Sequence, residues 1–532
     1  MVFLKEKFEK NKYWLLYSLA VTYLWGLAAH AYCFFDNSVS HDSLKEFHVL
    51  NVGNKLKLGS GRFFVPIYRA LFRGDATLPW LIGILGLLWL GLTVFLIIRI
   101  FRVDSKILTF LIAGVLVTNI SVSALAATYI HDFDCNLFGI LCAVTAVSLW
   151  KIYTSPGLTL LGAVLIAISL GIYQSYIFVA VTLAMMICIF SLLDGENFKS
   201  VLIHGLRAIA MMVLGGIFYF IALKVVSGIT KIPLSSAFYN FGNQSVKFTP
   251  RTFLEVSIGA YRDWFSRLWN AFSPYPRSVV KVITLLLFGI SAVSLAAGLL
   301  HKRVHKWEKV LCLVLIILFP YGTNFINVMA HGECHDLVVY AIWLFYLFAL
   351  LLTDQLEKLW KVREHANEPL AKAGSYAKVL CLVLVFILLY GNVQFANGMY
   401  LKKDNQYDAY LSLMTRVVSR MENEPAYVPG ETPVYFAGLP EDLNDEIPGF
   451  EEYTPVTGMW SMDMLFTNQR ERFQAYFDYV LCTPIKLADD EQWLVMRDKA
   501  EVQAMPNYPA QGCIKMLDGI LVVKLGDPRA IV

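Results

Sequence analysis

Two acidic motifs hold the residues best suited to chemistry: Ser40-His41-Asp42-Ser43-Leu44-Lys45-Glu46 and His131-Asp132-Phe133-Asp134. A positioned carboxylate can take a proton from a reacting hydroxyl, which makes Asp42, Asp132 and Asp134 the candidate catalytic acids. An Asp-x-Asp pair can instead hold a divalent metal that shares oxygen ligands with a substrate phosphate. Each motif also has a plainer reading. Ser43 and Glu46 have capping-box spacing, so Asp42 can simply sit at the start of a short helix. Asp132 and Asp134 can be solvated turn residues. Gly61-Arg62 places a guanidinium beside a glycine turn, which suits a phosphate or a lipid headgroup. Tyr173 and Gln174 suit sugar hydroxyls, or an ordinary interfacial aromatic belt. In His331-Gly332-Glu333-Cys334-His335-Asp336 the two histidines are four residues apart. Glu333 is not placed as in a zinc-protease helix and Gly332 weakens the helix, so donors to an anionic leaving group fit better. His41, Glu46 and His131 flank the acids and complete the candidate substrate-binding set of Arg62, Tyr173, Gln174, His331, Glu333 and His335.

The elements that must position these residues are membrane helices. The chain of 532 residues is 57% hydrophobic and only 16% charged, with a mean hydropathy of +0.55, which excludes an ordinary soluble globule. A net charge of +4 is too small to argue for nucleic acid. Apolar runs long enough to cross ~30 Å of hydrocarbon predict about eleven spans: 13–35, 78–101, 106–129, 135–152, 156–171, 173–193, 204–227, 278–300, 307–330, 336–354 and 376–397. The first is too long for a removable signal peptide and is expected to stay. Basic residues recur at alternate connections, at Arg99 to Lys106, Lys151, Lys199, Lys302 to Lys306, and Lys358 to Lys378. The positive-inside rule makes those connections cytoplasmic. The N-terminus is then inside and, after an odd number of crossings, the tail is outside. Both acidic motifs share the outer face with the tail.

Residues 401–532 have more Pro, Asp and Glu and no membrane-length apolar run, which predicts a small extracytoplasmic α/β domain after a membrane domain over 1–400. Helical spacing is expected over 405–422 and 467–481, and a strand over 432–436. Asp518-Gly519 between two apolar runs predicts a type I′ hairpin. Cys482 and Cys513 lie where an oxidising compartment would permit a disulfide. In the connection over 228–277, Tyr261, Trp264, Phe265, Leu268 and Trp269 have helical spacing, as an interfacial helix or a lid over a lipid portal. Asn324 and Asn327 can line the site or satisfy neighbouring helices.

Ser-His-Asp-Ser after the first span, Gly61-Arg62, the His131 to Asp134 turn and Tyr173-Gln174, in this order, resemble the bacterial type II glucosyl transferase family, membrane enzymes associated with O-antigen glucosylation. The resemblance covers about residues 10–400, and Met505-Pro-Asn-Tyr-Pro509, Gly512-Cys513 and the closing hairpin look similar to the ends of such proteins. It implies a polytopic α-helical fold of the GT-C type and a glycosyltransferase that moves a hexose, glucose by family, from a polyprenyl phosphate to an extracytoplasmic glycan such as O-antigen or teichoic acid. It implies an essential acid in the first outer loop, which maps onto Asp42; on that basis Asp42 is the expected general base, Asp132 or Asp134 a second carboxylate, with inversion at the anomeric carbon, and Arg62, His331 and His335 are the candidates for the departing phosphate. A cation near the outer end of the ninth or tenth span is expected by resemblance, and histidines stand there instead. No cofactor is expected; a divalent metal is open but not expected. The implied partners are the lipid-linked sugar, the glycan, the bilayer of the plasma membrane, a polyprenyl-phosphate glucosyltransferase that makes the donor, and a flippase that delivers it. A lipid-linked glycan flippase should instead place polar residues at mid-span with internal repeats, which the sequence lacks. A non-catalytic scaffold would leave the clustered acids without a purpose.

Overall fold

The computed structural model describes residues 2–40, 43–50, 53–153, 155–234, 249–300, 303–332, 334–361, 368–438 and 470–527. Helices dominate: α1 (Val2–Phe35), α2 (Leu44–His48), α3 (Asn54–Gly59), α4 (Phe64–Phe72), α5 (Pro79–Ile100), α6 (Lys106–Thr118), α7 (Ile120–Tyr129), α8 (Phe133–Ile152), α9 (Pro156–Ile172), α10 (Ile177–Leu193) and α11 (Phe198–Thr230). Further helices follow at Pro250–Trp269, Arg277–Leu299, Lys306–Thr323, Leu344–Lys361 and Glu368–Glu422. Local signals start them. Pro79 and Pro156 sit in the first turn of α5 and α9, where a missing N–H costs nothing. The Ser105 hydroxyl accepts from the Leu108 N–H at 3.3 Å to cap α6.

Eight helical stretches among the described residues are long and apolar enough to cross a membrane, and α6 and α9 are shorter apolar helices. The expected span 106–129 is broken at Asn119, whose side chain mends the break by donating to the Val115 and Leu116 carbonyls at 3.0 and 3.1 Å. The expected span 307–330 is not among the eight; it ends its main helix at Thr323, after an internal Pro320, and resumes at Phe325–Met329. An extended Tyr173 (φ −154°, ψ 125°) separates α9 from the turn Gln174–Tyr176 that opens α10.

The chain divides into two compact units. The first comprises Met1–Phe34, Gly53–Ala126 and Asp132–Asn397. In it α8 packs on α5 and α9, and α9 on α11. A Cβ at Gly86 of α5 would lie 2.7 Å from the Phe133 ring, so glycine there lets the start of α8 close onto α5. Arg102, Lys151, Asp194, Arg303 and Lys358 line one cavity of this unit, so the basic connections assigned to a common side do share one end.

The second unit comprises Phe35–Val52, Ala127–His131 and Gly398–Val532. Its four-stranded sheet has the order β2 (Lys486–Leu487), β1 (Pro433–Ala437), β4 (Ile520–Lys524), β3 (Ile514–Leu517). The central β1 is parallel to both neighbours and β3 and β4 form an antiparallel hairpin. Asp518 and Gly519 both have positive φ (49° and 77°), as a type I′ turn requires. The expected span 376–397 and the expected helix 405–422 are one 55-residue helix, because no proline interrupts the change from apolar to polar residues. Cys482 is exposed, Cys513 is buried, and the two are not bridged.

Candidate active site

The site of the first unit is built around the start of α8. A 3-10 turn, Ile130–Asp132, delivers Asp132 and then Asp134, and both carboxylates are buried. This overturns the solvated-turn alternative. Burying a charge costs several kcal/mol unless it is paired and hydrogen-bonded, and three cations meet these two acids. Lys57 of α3 pairs with Asp132. Arg69 of α4 donates from Nη2 to Asp132 Oδ1 at 2.7 Å. Arg73, closing α4, donates from Nε to Asp134 Oδ2 at 2.8 Å. Arg69 and Arg73 are four residues apart, which puts them on one face of a helix. The Tyr68 hydroxyl also donates to Asp134 at 3.1 Å and accepts from the Trp89 indole at 2.7 Å. Burial, reinforced by the Asp134 charge, pushes the Tyr68 phenol well above its usual range, so it remains a donor.

Arg62 has a different environment. It follows Gly61, which has a φ of 79°, and its N–H donates to the Lys57 carbonyl at 2.8 Å. Its guanidinium carbon lies 4.4 Å from the centre of the Tyr173 ring, a cation–π contact. Its Nε has no hydrogen-bond partner and no carboxylate pairs with it among the described residues. Gln174 holds the turn beneath it, donating to the Ser60 carbonyl and to the Tyr219 hydroxyl, both at 3.1 Å. Tyr176 donates to Asn136 at 3.0 Å, and Asn136 donates to the Asp132 carbonyl at 2.8 Å. Arg62, Tyr173, Gln174 and Asp132 therefore belong to one connected polar region.

Asp42 and His41 lie outside the described residues, as does Glu333. Ser40 and Ser43, on either side of the His41-Asp42 pair, are described and belong to the second unit. The capping arrangement differs from expectation: Ser43 makes no cap bond to α2. Instead Ser40 and Ser43 cap each other, with the Ser43 N–H on the Ser40 hydroxyl at 3.0 Å and the Ser40 N–H on the Ser43 hydroxyl at 2.7 Å. Glu46 is buried, with Oε1 3.8 Å from His131 Nε2.

The histidines of the 331–336 loop also belong to the first unit. His331 is half-buried with a φ of 53°, and His335 is exposed. Arg267, on the helix Pro250–Trp269, reaches this loop. It pairs with Asp336, donates to the Cys334 carbonyl at 2.7 Å and to Asp263 at 2.8 and 2.9 Å. Burial opposes its charge, but Asp263 and Asp336 outweigh that and hold it protonated. Asn324 donates to the Ala260 carbonyl and to Asp263, so it satisfies neighbours as one of its two expected roles. Trp264 and Leu268 pack inward while Tyr261, Phe265 and Trp269 line an apolar groove with Phe288.

Sequence reasoning missed Lys57, Tyr68, Arg69, Arg73 and Arg267. For Lys57, Arg69, Arg73 and Arg267 the available signal was their sign: they are basic residues in connections that the positive-inside rule assigns to the outer face, where cations are disfavoured.

The class this defines is a polytopic helical membrane protein with a buried, charge-paired polar region at its early helices and a small α/β unit. The glucosyl transferase GtrII family matches over residues 31–353, and the chain belongs to that family. The match contains Asp42, Arg62, Asp132, Asp134, Tyr173, Gln174, His331 and His335, and it ends before the sheet. No curated protein and no solved structure matches the chain.

Proposed function

We propose that the chain transfers glucose from a polyprenyl phosphate to an extracytoplasmic glycan, in a membrane of about eleven crossings with the N-terminus inside and the sheet outside. The observation that carries this reading is Arg62: a half-buried guanidinium, stacked on Tyr173, with no carboxylate partner among the described residues. A monophosphate leaving group needs a positioned cation that is not already neutralised. The glucosyl unit would meet Tyr173 and Gln174 beside it. Asp42 acts as general base on the acceptor hydroxyl and the displacement inverts the anomeric carbon. Asp132 and Asp134 orient Lys57, Arg69 and Arg73 and keep the floor of the site polar. Their oxygens already carry cationic side chains, which supports a reaction that needs no bridging metal. His331 and His335, beside the Arg267 cluster, are proposed for the departing lipid phosphate. The bilayer, a donor-making glucosyltransferase and a flippase are the proposed partners.

The test is surface-glycan analysis of cells that carry the wild-type chain or Asp42→Asn, with membrane levels matched. Loss of the glucose substituent in the variant is expected. An unchanged glycan would remove Asp42 as the base.

A further inference from the structure

The second unit draws its hydrophobic core from both ends of the chain. Val39 and Leu44 are 3% and 1% exposed and belong to one buried cluster with Tyr410, Met414, Phe436 and Phe477. They stand three residues before and two residues after Asp42. The helix α2 packs against the helix Arg470–Tyr479, where the His48 and Tyr479 rings stack with centroids 5.6 Å apart and planes 8° apart. Polar contacts hold the described backbone at Ser38, Ser40 and Ser43. Lys403, itself 3% exposed, donates from Nζ to the Ser38 carbonyl at 2.9 Å. The Ser40 hydroxyl donates to the Thr128 carbonyl at 2.6 Å. Asp36 accepts from the Ser38 N–H at 2.8 Å, and Ser40 and Ser43 cap one another.

A loop whose only duty was to join two helices would not bury a leucine in a distant sheet domain and enclose a lysine on its backbone. We infer that the C-terminal sheet unit anchors the described chain on both sides of Asp42, and that Leu44, Lys403 and His48 are positioning residues for the base. The inference rests on the reading of Asp42 given above. It gives the sheet unit a part in the chemical step rather than in acceptor binding. Rate is sensitive to such support, since a displacement of ~1 Å in a catalytic group can cost ~10²-fold.

The experiment uses the full-length chain in proteoliposomes with polyprenyl-phosphate glucose as donor and host surface glycan as acceptor. Leu44→Ala is expected to lower kcat by about tenfold or more, with both KM values unchanged and Leu44→Met restoring the rate. Met496→Ala removes a side chain that is 2% exposed in the separate cluster containing Tyr435 and Val522, so it destabilises the same unit away from the loop. It is expected to leave kcat unchanged. If Leu44→Ala does not fold, the exposed His48 provides the second route: His48→Ala should lower kcat about two- to tenfold, the range for loss of an aromatic pair, and His48→Phe should restore it. Wild-type kcat in a folded Leu44→Ala or His48→Ala chain overturns the inference. So does an effect confined to acceptor KM, or an equal loss in Met496→Ala. Asp42→Asn, run in parallel, separates the two readings. Full activity there removes the base, whereas loss there beside an unaffected Leu44→Ala removes only the positioning.

Discussion

Arg73→Met should be among the most destabilising single changes in the membrane unit. Arg73 and Asp134 have side chains 1% and 0% exposed, joined at 2.8 Å. Without the guanidinium, Asp134 keeps only the Tyr68 hydroxyl at 3.1 Å and the Cys135 N–H at 2.9 Å as described donors. Breaking a buried ion pair from one side costs about 3–5 kcal/mol, because the remaining charge is left uncompensated. The double change Arg73→Met with Asp134→Asn removes that charge and keeps an amide oxygen for Tyr68 or Cys135. It should therefore recover about 2–3 kcal/mol of the loss. The assay is the rate of thermal unfolding of the detergent-solubilised protein at one temperature, followed by loss of the monodisperse peak. Each ~1.4 kcal/mol that acts on the barrier changes the rate tenfold, so the single variant should unfold up to ~10²- to 10³-fold faster and the double variant should regain most of that. A single variant as durable as wild type would refute the buried pair, as would a double variant no better than the single.

Arg62→Ala should lower kcat/KM for the lipid donor by about 10- to 100-fold, the loss of one charge-assisted contact of ~1.5–3 kcal/mol. Arg62→Lys should not restore it, because an ammonium loses the planar stack on Tyr173; donor titrations of the three proteins check this. Chelation with EDTA should leave transfer largely intact in the same assay. Loss of activity that Mg²⁺ or Mn²⁺ restores would show that a metal bridges the site despite the cations on Asp132 and Asp134.

The features legible in the sequence were those set by local rules. The Asp518-Gly519 hairpin follows from two positive-φ positions, and the helices follow from apolar run length and proline or serine starts. The order of motifs carried the family. The partnerships were not legible. Nothing in the spacing of Lys57, Arg69 and Arg73 says that Asp132 and Asp134 complete them, because the pairing depends on α4 closing over the start of α8. Ser43 and Glu46 fitted a capping box, yet the Ser43 hydroxyl pairs with Ser40, a local competitor three residues earlier, and Glu46 also meets His131 from elsewhere in the chain. Arg267 stood in a connection that read only as amphipathic, and its link to Asp336 spans 69 residues. The single helix Glu368–Glu422 was divided at a change of composition that does not interrupt backbone hydrogen bonding.

The direct measurement is transfer of labelled glucose in proteoliposomes of the purified chain, offered in turn as polyprenyl-phosphate glucose and as UDP-glucose, with host glycan as acceptor. Label is expected in the glycan from the lipid donor alone, with release of polyprenyl phosphate, as the proposed reaction requires. Direct transfer from UDP-glucose, or lipid-linked glucose that crosses the bilayer without reacting, would contradict it.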